Sequence, residues 1–90
     1  MIIEEEVEVI NKMGLHARAA AKLVQLTNRF KSDIIISLND LQINGKSIMG
    51  IMLLAATKGT KLNISINGDD AEEMMKSIKE LFENKFGEEE

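Results

Sequence analysis

The apolar residues of this chain change their spacing repeatedly along its length, and that alternation constrains the fold more than any other feature. Between Ile2 and Ile10, Ile3, Val7 and Val9 fall on one parity and Glu4, Glu6 and Glu8 on the other, with Glu5 as a lapse. A repeat of two predicts a half-buried strand with one wet face. Asn11-Lys12-Met13-Gly14 breaks the pattern. From Ala17 to Phe30 the repeat becomes helical, with Ala20, Leu23, Val24, Thr27 and Phe30 sharing a face. Alternation returns in Ile34, Ile36 and Leu38, turns at Asn39-Asp40, and continues through Leu41 and Ile43, which predicts a hairpin.

Ser47 is placed to cap a short apolar helix from Ile48 to about Ala56, stopped by Lys58-Gly59. Leu62, Ile64 and Ile66 make a fourth alternating run. After Gly68, Asp69 and Glu72 have capping-box spacing. They introduce a last helix, about Asp70 to Phe86, with Met74, Ile78, Leu81 and Phe82 on one face. Gly87 is the expected stop, and residues 87–90 read as a frayed acidic tail. The order βαββαβα, with one-sided helices and alternating strands, predicts an α+β open-faced sandwich. Its four-stranded antiparallel sheet carries helices packed on one face. At 90 residues this is a single domain spanning 1–90.

Composition excludes several chemistries. With no Cys there is no disulfide framework, thiol nucleophile or cysteine-built zinc site, and one His rules out a multi-His metal centre. No cofactor and no metal are expected. A net charge of −4, no Trp or Tyr and only three Phe argue against nucleic acid as a partner. The longest apolar stretch, Ile48–Ala56, is too short to span a bilayer and is interrupted by Gly50, and no basic-then-apolar leader opens the chain. A cytoplasmic monomer without membrane insertion is the expectation.

The charge is unevenly placed. Between Val9 and Gly68 there are eight basic residues and two acids, and the acids concentrate at the two ends. The middle is either an ordinary solvated surface or a basic face suited to phosphate and acidic protein partners.

That basic segment holds the lone His16, at a strand-to-helix junction, with Arg18 two residues on. The first N–H groups of a helix lack intrahelical acceptors and favour anions, and Arg offers a planar donor fork suited to phosphate oxygens. The pattern admits two readings, an ordinary surface histidine or a nucleophile that accepts and donates a phosphoryl group. Ser47 is likewise a plain N-cap, a phosphorylation site, or both. Ile48, Met49, Ile51, Met52 and Leu53 cannot all face one core from one short helix. Either Ile51, Leu54 and Ala55 are core and the others incidental, or the helix carries a Met-rich docking patch.

Two stretches, Asn11-Lys12-Met13-Gly14-Leu15-His16-Ala17-Arg18-Ala19-Ala20 and Gly45-Lys46-Ser47-Ile48-Met49-Gly50-Ile51-Met52, closely resemble the HPr family. These are the histidine-containing phosphocarriers of the bacterial phosphoenolpyruvate-dependent sugar phosphotransferase system, and the resemblance covers nearly the whole chain. It implies that enzyme I phosphorylates Nδ1 of His16 and that the group passes to enzyme II A-domains. Arg18 would contact the phosphate, and Ser47 would be modified by HPr kinase/phosphorylase. Ala20, Val24, Ile48, Met49 and Met52 would form the docking surface. By the same resemblance the chain is a relay rather than an enzyme with its own turnover. Two alternatives within the resemblance remain: a regulatory protein acting through Ser47 on a transcription regulator, and a carrier of a nitrogen-linked branch. The family usually has Pro where this chain has Ala19. Pro suits a helix's first turn, but Ala is a good helix former, so the helix is expected to survive with a looser first turn.

Overall fold

A computed structural model describes all 90 residues, Met1–Glu90. Its elements run β1 (Ile2–Glu8), α1 (Ala17–Thr27), β2 (Asp33–Leu38), β3 (Leu41–Asn44), α2 (Ile48–Leu53), β4 (Lys61–Asn67) and α3 (Ala71–Glu83), followed by a 3₁₀ turn at Lys85–Gly87. The strands form one antiparallel sheet in the order β1-β4-β2-β3. The order of elements is the expected βαββαβα, and the architecture is the open-faced sandwich.

Alternation does the expected work in the sheet. Val7, Ile34, Ile36, Ile43, Leu62, Ile64 and Ile66 are buried, and the residues between them are exposed or half-buried. The helices answer with Ala19, Ala20 and Leu23 from α1, Ile51 from α2, and Ala71, Met74, Met75, Ile78 and Phe82 from α3. The lapse at Glu5 has a physical explanation. It lies on the inward parity of the edge strand β1, where Lys79 of α3 donates to its carboxylate at 2.8 Å. That contact is also the first cause holding the Lys79 ammonium above its ordinary pKa.

The helix boundaries depart from the sequence expectation in four places. α1 stops at Thr27 rather than Phe30. α2 ends at Leu53, because Ala55 turns left-handed (φ 47°) and swings the chain back toward β1. Ala55 is therefore exposed, not core. α3 begins after Asp70, and the expected Asp69–Glu72 capping box does not form. Asp70 turns its carboxylate outward to accept from the N–H groups of Lys31 (2.8 Å) and Ser32 (3.0 Å) and from the Ser32 hydroxyl. The Ser32 hydroxyl contact is the main reason its carboxyl lies below the ordinary value of 3.8. Finally, α3 does not run to Phe86. Lys85, Phe86 and Gly87 all take positive φ, which reverses the chain.

The tail is therefore not frayed. Phe86 is 1% exposed and meets Phe82 edge-on, with ring centroids 4.9 Å apart. Left-handed backbone at Lys85 and Phe86 together costs roughly 2–4 kcal/mol, and burial of the phenyl ring, about 1.5–3 kcal/mol, offsets most of it. Lys22 adds a clamp by donating to the Phe86 carbonyl at 2.6 Å. No helix is long and apolar enough to cross a membrane.

Candidate functional site

The loop before α1 is built around Asn11 and Gly14. The Gly14 N–H returns to the Asn11 carbonyl at 3.2 Å, closing a turn. Gly14 has φ +70°, and a Cβ there would lie 2.5 Å from the Ala56 carbonyl oxygen, so both conformation and space require glycine. The next residue, Leu15, is buried and donates its N–H to the same Ala56 carbonyl at 2.9 Å. The segment leaving α2 thus pins the loop that presents His16.

His16 occupies the N-cap position of α1 with extended backbone (φ −70°, ψ 176°). Its carbonyl accepts the Ala20 N–H at 2.8 Å, the first bond of the helix. Its side chain makes no capping bond. The N–H groups of Ala17, Arg18 and Ala19 consequently have no acceptor within the protein. Arg18 is exposed and takes part in no side-chain hydrogen bond or ion pair. The arrangement leaves three helix N–H donors and one guanidinium available beside an imidazole. Such a set can hold the oxygens of a phosphoryl group.

The imidazole itself is engaged on one side only. Nε2 lies 2.5 Å from Oε2 of Glu88, and Nδ1 makes no hydrogen bond. Glu88 is held in turn by Asn11, whose Nδ2 donates to Oε1 at 3.0 Å and to the Gly14 carbonyl at 2.8 Å. The Asn11 hydrogen bond is the leading cause that keeps the Glu88 carboxyl below its ordinary 4.5, with the His16 contact adding to it. The Lys12 backbone N–H donates to the Glu90 carbonyl, tying down the end of the chain. Neither Glu88 nor Asn11 stood out in the sequence. The available signal was Phe86, a large apolar residue immediately before the acidic tail and able to anchor it.

Ser47 lies at the other end of the α1–α2 pair. It is the N-cap of α2, and its Oγ accepts the Gly50 N–H at 3.0 Å. Thr27, at the end of α1, donates from Oγ1 to the Gly45 carbonyl at 2.9 Å, and so fixes the approach to Ser47. The two helices run antiparallel, and the 11 residues of α1 put roughly 16 Å between the His16 end and the Ser47 end.

Along α2, Ile48, Met49, Met52 and Leu53 are exposed, Met49 by 80%, whereas Ile51 and Leu54 are buried. Val24 is half-buried on α1. Ala20 corrects the expected docking set. It is fully buried in the core, because it lies on the α1 stripe with Ala19 and Leu23 that faces the sheet. It shapes the surface only from beneath.

The chain is similar to known proteins along nearly its whole length. The family described as "PTS HPr component phosphorylation site" matches residues 3–84. A phosphocarrier protein HPr of Xylella fastidiosa is 49% identical over 87 residues, covering 97% of this chain and 98% of the relative. Among solved structures, an HPr of Thermoanaerobacter tengcongensis superposes with a TM-score of 0.94 at 45% identity, covering 98% of this chain and 99% of that one. An HPr of Bacillus anthracis gives 0.86 at 42% identity, covering 90% and 96%.

Proposed function

Since this chain belongs to the HPr family of phosphotransferase-system phosphocarriers, we propose that it accepts a phosphoryl group on His16 from phosphorylated enzyme I and passes it to enzyme II A-domains. The observation that carries the reading is the uncapped start of α1, with its three free N–H donors, exposed Arg18 and the unpartnered Nδ1 of His16. In the transfer, the Nδ1 lone pair forms the new N–P bond as the donor's own bond to phosphorus breaks. The electron pair of that broken bond stays on the donor. The helix N–H groups and Arg18 hold the oxygens while charge redistributes. The chain is a relay that both accepts and releases, so its complexes are weak and quickly exchanged.

The partner-docking surface in this reading is the apolar strip of Ile48, Met49 and Met52, bordered by Val24. Unbranched Met side chains can repack against more than one partner, as a carrier between enzyme I and several A-domains requires.

Ser47 borders that strip, and its hydroxyl already sits at a helix N-terminus. Phosphorylation there by HPr kinase/phosphorylase would place about −1.5 to −2 charges at the docking surface. From the far end of α1 its main effect is on partner association rather than on His16 itself. Such a phosphorylated form could also act on a transcription regulator. Retention of His16 and Arg18 favours the carrier over a purely regulatory protein.

The test is incubation with enzyme I and phosphoenolpyruvate, read by intact mass. One acid-labile phosphate, lost in His16→Ala, is the expected result. No phosphate from several competent enzymes I overturns the reading.

A further inference from the structure

The docked C-terminal tail is the feature that the carrier reading leaves unused. Its three-residue contact, Asn11–Glu88–His16, has a specific hydrogen-bond polarity. Asn11 is fully buried, and both acceptors around its Nδ2, the Gly14 carbonyl and Glu88 Oε1, require N–H groups to face them. That requirement sets the amide orientation, and it leaves Glu88 Oε1 as an acceptor. The other carboxylate oxygen faces His16 Nε2 at 2.5 Å. An ionised carboxylate can only accept, so the ring nitrogen against it must carry the proton. In a neutral imidazole the other nitrogen then holds the lone pair.

We propose that Glu88 is a positioning residue for His16: its carboxylate takes the protonated Nε2 and so presents Nδ1 as the phosphoryl acceptor, while Asn11 holds the carboxylate in place. The proposal rests on the carrier reading above and assigns that site a residue brought from 72 positions away. When Nδ1 forms its bond to phosphorus, the proton on Nε2 stays on the ring and the imidazole becomes cationic. The Glu88 carboxylate lies against the charge that develops. On donation the N–P bond breaks, its electron pair returns to Nδ1, and the ring is neutral again with the same proton in place. Glu88 contacts Nε2, the ring nitrogen that does not react. It acts through the ring's tautomer and orientation, as the buried carboxylate does in a hydrolase triad. The depressed pKa of Glu88 accords with a carboxylate that stays ionised in this setting.

Glu88→Gln is the discriminating variant. Both neighbours of this carboxylate present N–H groups, and an amide has one acceptor oxygen and one NH₂ group, so it can satisfy only one of them. With the amide oxygen toward Asn11, the NH₂ faces His16 and favours the opposite tautomer. Since the chain has a single His, ¹⁵N-histidine labelling of the full chain gives one unambiguous pair of ring signals. The expected result for the wild type, at a pH where the ring is neutral, is protonation on Nε2. Glu88→Gln shifts population toward protonation on Nδ1 and slows phosphoryl acceptance from enzyme I about tenfold, while Glu88→Ala gives a mixture and a smaller loss. A tautomer and a rate both equal to wild type in the two variants overturn the proposal. A rate that falls without a tautomer change, or a tautomer change without a fall in rate, overturns it too. A wild type that takes no phosphate at all overturns the carrier reading and this proposal together, whereas normal phosphorylation in every variant overturns this proposal alone.

Discussion

All three helices in this molecule follow a polar N-cap residue, and α1 and α2 treat their first turn in opposite ways. At Ser47 the hydroxyl closes onto the Gly50 N–H, so the start of α2 is satisfied from within. At His16 the side chain turns away to Glu88, and three N–H groups of α1 are left without a protein acceptor. A cap contributes about 1 kcal/mol to stability, so an uncapped helix gives up that amount. The lesson is that the two ends have different duties. The Ser47 end secures a short helix with an exposed apolar strip, the docking surface in the proposed function, whereas the His16 end keeps its donors available for an anion.

The contrast can be attacked from several sides. The largest expected effect comes from removing the tail's anchor. Phe86→Ala should cost about 3 kcal/mol by denaturant unfolding and should release Glu88 from His16, visible as faster amide exchange over residues 85–90. Next, Arg18→Ala should slow phosphoryl acceptance about tenfold with the unfolding midpoint unchanged, since Arg18 is exposed and unpaired. If Arg18→Ala lowers stability instead, the open end of α1 is structural and the comparison fails.

Ser47→Ala should show the reverse signature, a loss of about 1 kcal/mol in stability with the chemical step of transfer unaltered. In the same position, Ser47→Asp should raise the KM for transfer from enzyme I, and equal kinetics would remove Ser47 from the docking surface. Ala19→Pro should change least, stabilising by under about 1 kcal/mol; it removes one of the three free N–H groups, but those of Ala17 and Arg18 and the Arg18 guanidinium remain, so transfer alters by a small factor. A wild type without activity that Pro rescues would show that Ala19 had disabled the site.

The tail contact also has a pH signature. A carboxylate whose folded pKa lies below its ordinary value stabilises the fold above that ordinary value, and the contribution is lost as pH falls through the depressed one. Glu88 should therefore stay docked at all pH values above about 4.5 and detach only in more acidic solution, followed by the ring signals of His16.

Much of this architecture was legible in the residue pattern, and the places where it was not share a cause. The strands were legible because alternation at β1, β2 and β4 reports directly which face is buried. The Asn39-Asp40 turn was legible from turn chemistry. His16, Arg18 and Ser47 could be singled out because local residue type and helix polarity raised them, and family resemblance gave them roles. The early end of α2 at Leu53 was not legible, since Ala55 has no preference for the left-handed backbone it adopts. Nor was the fate of Asp70. A side chain that looks like part of a cap is drawn instead to Lys31 and Ser32, far away in sequence. Ala20 was misplaced for a related reason, because a small residue on an amphipathic helix can sit on either side of the boundary between core and surface.

The segregation of charge is the sharpest case. Along the chain a basic middle is flanked by two acidic ends, which suggests that the site and the acids lie apart. In space the last acids return to the site, with Glu88 on His16 and Glu90 against Lys12.

By itself the sequence determined the element order, the buried face of each strand and the starts of α1 and α2, and it singled out His16 as the candidate reactive side chain. These follow from short-range periodicity and from chemistry within a few residues. Only the tertiary structure decided which nitrogen of His16 is engaged and by what. That depends on a strained reversal at Lys85–Gly87, stabilised by burial of Phe86, which brings together groups 72 residues apart. Local pattern carries no record of a contact whose energy comes from distant packing.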